Sequence, residues 1–301
     1  MRSAVQGALP AQDAWSGGKQ VIDVDGRDVA YVEIAGSEPA LLLVHGFTDT
    51  SRSFALLAPY LTGRRVIMPD LRGHGASQEG DGYGVADFAG DIAGMIRCLR
   101  LDRPILAGHS LGGMVAIFLA AREPDLIGGL VVLASTLKPD FAPDHPLPLT
   151  VEGLRDPILP TDPLFDWWHA CQQVVPQAFL AELAKDASAM PARRWRTILE
   201  EICRTDLTGF AEAVRVRTLV IAGACDPLFD ETHQRALSRA FPHALLVEAQ
   251  GCGHNPHWEA PAFVAETIVG EFGALDRPEP GVQQQSSDPS VRLKLSQTPW
   301  R

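Results

Sequence analysis

Residues 101–114, LDRPILAGHSLGGM, run directly into VAIFLAAR and constrain the fold more tightly than any other stretch of the chain. The apolar run 104–107 reads as a buried strand, Gly108-His109-Ser110-Leu111-Gly112 as a sharp turn, and the residues after it as an apolar helix. A serine on a strained strand-to-helix turn projects its hydroxyl clear of a sheet, and its backbone fits there only among small neighbours. The helix behind it aims free N–H groups at the place where negative charge would develop on a bound molecule. By composition alone, G-x-S-x-G turns up in roughly one such glycine-rich chain in ten. The flanking strand and helix are what give it weight.

The rest of the chain repeats that rhythm. Apolar runs without alternation at 40–44, 65–68, 130–133, 217–222 and 244–248 suit strands covered on both faces, as in a parallel sheet. Helical patterns fall between them at 53–61, 85–99, 111–122, 231–240 and 261–272. Upstream, 20–25 and 28–34 flank Asp25-Gly26 and predict a hairpin. Between 137 and 215 the pattern breaks. Seven prolines from Pro139 to Pro163 make 137–162 an irregular crossing, followed by helical pieces at 163–173, 176–187 and 191–203. An insertion of this length reads as a helical cap, a lid over a site in a core made of 20–136 and 216–276. Residues 1–19 read as a flexible leader and 277–301 as a disordered tail, in which VRLKL (291–295) and Trp300 are the fragment able to dock.

A net charge of −11 argues against a nucleic-acid surface and against docking on anionic membranes. No apolar run approaches the ~18 residues that cross a bilayer, and the N-terminus has no secretory-signal pattern. The five cysteines, 98, 171, 203, 225 and 252, are odd in number, dispersed and without a C-x-x-C pair, which predicts reduced thiols and a cytoplasmic protein. No cluster has metal-ligand spacing, since Cys252 and His254 alone are too few for zinc. Neither a metal nor a cofactor is expected.

Four further motifs stand in register with the serine turn: His45-Gly46-Phe47, Asp70-Leu71-Arg72-Gly73-His74-Gly75, Gly223-Ala224-Cys225-Asp226-Pro227 and Gly253-His254. Together they resemble the α/β-hydrolase superfamily over about residues 21–272. That resemblance implies an eight-stranded, mostly parallel sheet with helices on both faces and a helical cap after the sixth strand. It agrees with the α/β reading reached from the apolar runs.

Within this frame Ser110 is the expected nucleophile, because a serine hydroxyl attacks at neutral pH only when a base takes its proton. His254, in a glycine-rich loop after an apolar strand, is the expected base, with His257 as its nearest rival and better read as a packing residue beside Trp258. Asp226, stiffened by Pro227, is the expected acid that orients His254; Asp230 lies close, and Glu231 reads as a first-turn helix residue. The order Ser, Asp, His suits this fold. The oxyanion hole is expected from the backbone N–H groups of Phe47 and Leu111, leaving the Phe47 ring to line the substrate pocket. The Asp70–Gly75 segment reads as scaffold, with a local Asp70–Arg72 ion pair.

A serine in the turn, where some relatives carry aspartate, favours acyl transfer through an acyl-enzyme. The elbow resembles those of esterases, lipases and lactonases. Cofactor-free perhydrolases, carbon–carbon bond hydrolases and non-catalytic ligand receptors of the same fold are the alternatives. Phe165, Trp167, Trp168, Phe179, Met190 and Trp195 of the inserted segment point to an apolar substrate, with Trp167 and Trp168 as its expected contacts and about half of the set as packing. The expected partner is therefore a small apolar ester or lactone.

Overall fold

The structure, a computed structural model, describes residues 12–273 apart from Pro143. The expected tail, with VRLKL and Trp300, lies outside the described residues, as do residues 1–11.

Eight strands build one sheet: β1 (Gln20–Val24), β2 (Arg27–Ile34), β3 (Ser37–Val44), β4 (Arg64–Pro69), β5 (Ile105–His109), β6 (Gly129–Leu133), β7 (Thr218–Gly223) and β8 (Ala244–Ala249). Their spatial order is β1-β2-β4-β3-β5-β6-β7-β8. β1 and β2 form the expected hairpin, with Asp25 and Gly26 both at positive φ, and β2 meets β4 antiparallel. All other pairings are parallel. Side chains alternate between two apolar layers. Leu41 and Leu43 enter one, Leu42 and Val44 the other, and both layers are covered. A continuous apolar run is the signature of that double burial.

The layer of Leu42 and Val44 takes α2 (Val85–Cys98) and α3 (Leu111–Arg122), and the layer of Leu41 and Leu43 takes α1 (Gln12–Gly17), placed by Trp15, and α11 (Pro261–Phe272). The segment between β6 and β7 carries α4 (Pro146–Gly153), α5 (Leu164–Trp168), α6 (Gln177–Ser188), α7 (Ala192–Arg204) and α8 (Thr208–Ala211). α9 (Glu231–Arg239) joins β7 to β8, and the one-turn α10 (Pro256–Glu259) precedes α11. No helix among the described residues is long and apolar enough to cross a membrane. Every cysteine is a free thiol.

The structure departs from the sequence reading in four places, each through tertiary contact. The leader was expected to be flexible, yet α1 folds and buries Trp15, 4% exposed, whose indole N–H donates to Ser51 Oγ at 3.2 Å. A six-residue helix is unstable alone in water, so it is held by that docking and by Ser16 Oγ, which accepts from Arg52 Nη2 at 3.1 Å. Residues 53–61 form no α-helix but two 3-10 turns, Ser51–Phe54 and Ala58–Tyr60, the second opened by Pro59. Within 137–162 the prolines do not prevent order. Pro146 and Pro148 sit in the first turn of α4, where their missing N–H groups go unused, and the His145 ring accepts from Leu147 N at 3.2 Å. Finally, 163–173 shortens to α5, which ends at Trp168 with His169 as its cap.

Candidate active site

β5 delivers Ser110 on a backbone with φ 52° and ψ −115°, and α3 starts at the next residue. The flanking glycines are dictated by contact. A Cβ on Gly108 would lie 2.0 Å from Gly112 O, and one on Gly112 would lie 2.1 Å from Val44 O. A Cβ on Gly113 would meet the Ser135 side chain at 2.5 Å. The strained residue is pinned on both sides. Ser110 N donates to Leu133 O at 3.0 Å, and Ser135 Oγ donates to Ser110 O at 2.6 Å. Such a conformation stores on the order of 1–3 kcal/mol, which the surrounding hydrogen bonds must hold in place.

Asp226 follows β7 and His254 follows β8. The two loops are joined through their backbones. Ala224 N donates to Ala249 O at 3.1 Å and Cys225 N to Cys252 O at 2.8 Å. A Cβ on Gly223 would fall 1.8 Å from Gly253 O, so glycine alone permits the approach. Across the junction His254 Nδ1–H donates to Asp226 Oδ2 at 2.9 Å, with the Asp226 carboxyl fully buried. Its other oxygen accepts from Leu228 N at 2.8 Å and Phe229 N at 3.2 Å. This pairing fixes the His254 tautomer and leaves Nε2 as the lone-pair nitrogen. Asp230 has a different role: it caps α9 by accepting from His233 N at 2.8 Å. His257 is fully buried, with Nε2 at 2.9 Å from Ser53 Oγ, and has no place in the cavity wall.

Ser110 and His254 open into one cavity of about 200 Å³, with Phe47, Trp167 and Trp168 in its wall. Leu111 and Phe47 also border a smaller adjoining pocket. Among the described residues neither the Phe47 N–H nor the Leu111 N–H finds an acceptor within the protein. The Phe47 loop is held by two buried histidines. His45 Nε2 accepts from Leu71 N at 2.9 Å, so its Nδ1–H donates to Gly46 O at 2.8 Å. Burial pushes the His45 pKa down to about 3. His74 Nε2 lies 2.7 Å from Phe47 O, and burial lowers its pKa too. The expected Asp70–Arg72 pair does not form. Asp70 binds Lys19 Nζ at 2.6 Å and the N–H groups of Ser51 and Ala76, each at 2.8 Å, while Arg72 turns to Asp91 at 2.5 Å.

The inserted segment roofs the cavity. The Trp168 indole N–H donates to Thr48 Oγ1 at 2.8 Å, and its ring meets Phe47 edge-on at 6.0 Å. Phe165, Phe179, Met190 and Trp195 are buried packing residues, so only Trp167 and Trp168 of the six aromatic and methionine candidates line it.

Sequence reasoning passed over three residues of the site. Glu259 clamps the His254 loop to the roof, accepting from Gly253 N at 3.0 Å and from Gln172 N at 2.8 Å. His109, which the sequence placed only within the serine turn, donates its Nε2–H to the His254 backbone O at 3.0 Å and so seats that residue. Asp49 lines the cavity, and burial pushes its carboxyl up to about 6. The only signal in the chain for Asp49 was its position two residues beyond Phe47.

The profile of the Alpha/beta hydrolase family matches residues 41–267. Over 120 residues the chain is 41% identical to a 2-(acetamidomethylene)succinate hydrolase of Mesorhizobium japonicum, an alignment spanning 39% of this chain and 41% of that protein. An sn-1-specific diacylglycerol lipase of Mus musculus is 32% identical over 276 residues, covering 84% of this chain and 88% of the relative. Among solved structures, a membrane phospholipase A described as a bacterial virulence factor superposes with a TM-score of 0.75 at 26% identity, covering 87% of this chain and 88% of that one.

Proposed function

The chain belongs to the alpha/beta hydrolase family, and from that premise we propose that it is a serine hydrolase cleaving an uncharged carboxylic ester or lactone through an acyl-enzyme. One observation carries the reading: Ser110, on its strained turn, shares a cavity with His254, whose far nitrogen is tied to buried Asp226 at 2.9 Å. His254 Nε2 takes the Ser110 hydroxyl proton as Oγ attacks the substrate carbonyl carbon. The resulting oxyanion receives the N–H groups of Phe47 and Leu111, each typically worth ~3 kcal/mol. His254 then gives its proton to the departing alkoxide, releasing the alcohol and leaving an ester on Ser110. Water, deprotonated by the same ring, attacks that ester and frees the acid. Asp226 keeps the ring in the working tautomer and stabilises the imidazolium.

The cavity wall narrows the substrate class. The Mesorhizobium relative is named for a succinate, a dianion of the kind that cationic side chains bind well. Among the described residues no lysine or arginine lines the cavity, whereas Asp49 does. Two tryptophans and Phe47 favour an apolar acyl or alcohol group. The test is a panel of chromogenic esters and lactones with wild type and Ser110→Ala, alongside mass analysis after a fluorophosphonate label. Hydrolysis that falls at least 10⁴-fold in the variant, with the label on Ser110, is the expected result. A variant retaining a tenth of the rate would overturn the assignment.

A further inference from the structure

The Asp49 carboxyl has no task in the chemistry above. Asp49 is 7% exposed and forms part of the wall that Ser110 and His254 share. Its Oδ2 accepts from Ser53 Oγ at 2.9 Å. That hydroxyl is itself fixed. It accepts from the Trp258 indole N–H at 3.1 Å and from His257 Nε2–H at 2.9 Å, so its single proton goes to Asp49. Among the described residues Oδ1 takes no side-chain hydrogen bond, and unlike His109 Nδ1 beside it, it is not sealed from the cavity.

Among the described residues no lysine or arginine pairs with this carboxyl. The groups facing it are His109 from the end of β5, with Nδ1 3.9 Å from Oδ2, His254 from the loop after β8, Asp186 from α6, and Ser53 and the Gly46 backbone N–H of its own loop. Burial lowers the His109 pKa well below its ordinary value, so that ring is neutral at pH 7. Asp186 is a second acid, engaged by Arg52 at 2.8 Å. A half-satisfied buried carboxyl is unfavourable for folding. The arrangement makes sense when a bound molecule supplies the missing donor.

We propose that Asp49 is a specificity subsite that selects esters or lactones bearing a hydrogen-bond donor, a hydroxyl or an amide N–H, close to the scissile carbonyl. The proposal rests on the esterase reading of Ser110. Asp49 stands two residue steps beyond Phe47, whose N–H is assigned to the oxyanion, and two steps span at most about 7 Å. A substituent a few bonds from the carbonyl therefore reaches the carboxyl. A substrate carboxylate at that place would be repelled.

The experiment compares matched pairs at pH 8: hydroxyl-bearing esters (a 3-hydroxybutyrate 4-nitrophenyl ester and glyceryl monobutyrate) against their O-methylated counterparts. The hydroxyl members are expected to have kcat/KM about 10–100-fold higher in at least one pair, as for a hydrogen bond to a charged group. In Asp49→Ala that ratio should collapse towards one. A ratio near one in wild type for both pairs, or a preference that survives in Asp49→Ala, overturns the proposal. The same ligands titrated calorimetrically into Ser110→Ala report the ratio as binding. Absence of turnover would then count against the esterase reading alone, while equal binding of the hydroxyl and methoxy members would count against the Asp49 subsite.

Discussion

Replacing Asp226 with asparagine is expected to leave the fold intact and to stall turnover. The Asp226 Oδ1 accepts from two backbone N–H groups, Leu228 at 2.8 Å and Phe229 at 3.2 Å. An asparagine must keep its carbonyl oxygen there, which turns its NH₂ towards His254 Nδ1. The ring responds by presenting a lone pair at Nδ1 and a proton at Nε2, the wrong tautomer for accepting the Ser110 proton. Flipping the amide restores the tautomer but strands two buried N–H donors, at about 1–3 kcal/mol each. At 1.36 kcal/mol per decade, the competent flip is populated at roughly one part in 30 to one part in 10⁴. Loss of the negative charge behind the imidazolium lowers the rate further, so kcat should fall about 10³–10⁴-fold. Stopped-flow hydrolysis of a 4-nitrophenyl ester measures it, with circular dichroism and thermal melting as controls for folding. A folded variant within tenfold of wild type refutes the tautomer argument, and with it the role of Asp226.

Gly112→Ala should destabilise the protein by about 3 kcal/mol or more and abolish activity, because the added Cβ meets backbone oxygens of Val44 at 2.1 Å and His45 at 2.6 Å; a melting temperature unchanged within two or three degrees, about 1 kcal/mol for a chain this long, would show that the turn yields. Trp15→Ala should release α1, lowering stability by about 1–3 kcal/mol and speeding amide exchange in residues 12–17; equal exchange in both proteins would mean that α1 is not docked. Asp49→Asn should stabilise the protein at pH 8 by up to about 3 kcal/mol. The Asp49 pKa is raised to about 6 by burial from an ordinary 3.8, so the folded state holds the extra proton and stability falls as pH rises between those values. The advantage of asparagine should therefore be present at pH 8 and vanish near pH 4, and a pH-independent difference in denaturant midpoints would contradict the burial argument.

The sheet, the serine turn and the glycine-bounded motifs were legible in the chain because each is a local pattern. The apolar run before Ser110 and the helix after it are contiguous, and Gly108, Gly112 and Gly113 stand where neighbouring backbone touches them. A strand buried on both faces needs an unbroken apolar run whatever lies next to it. Asp226 and His254 were also legible as residue types at strand ends, but their meeting at 2.9 Å depends on two loops that only the β7–β8 pairing brings together. Other features left no local mark. α1 exists because Trp15 finds a pocket beside Ser51, and α4 because His145 caps a segment that its prolines suggested was irregular. Arg72 turned from Asp70 to Asp91 because α2 lies within its reach. Asp49 is an ordinary acid two residues past Phe47 until Ser53, His109 and the roof remove its water. Spacing along a chain encodes which face a side chain takes. Desolvation and partnership are set by segments far apart in sequence, and those the tertiary structure alone decides.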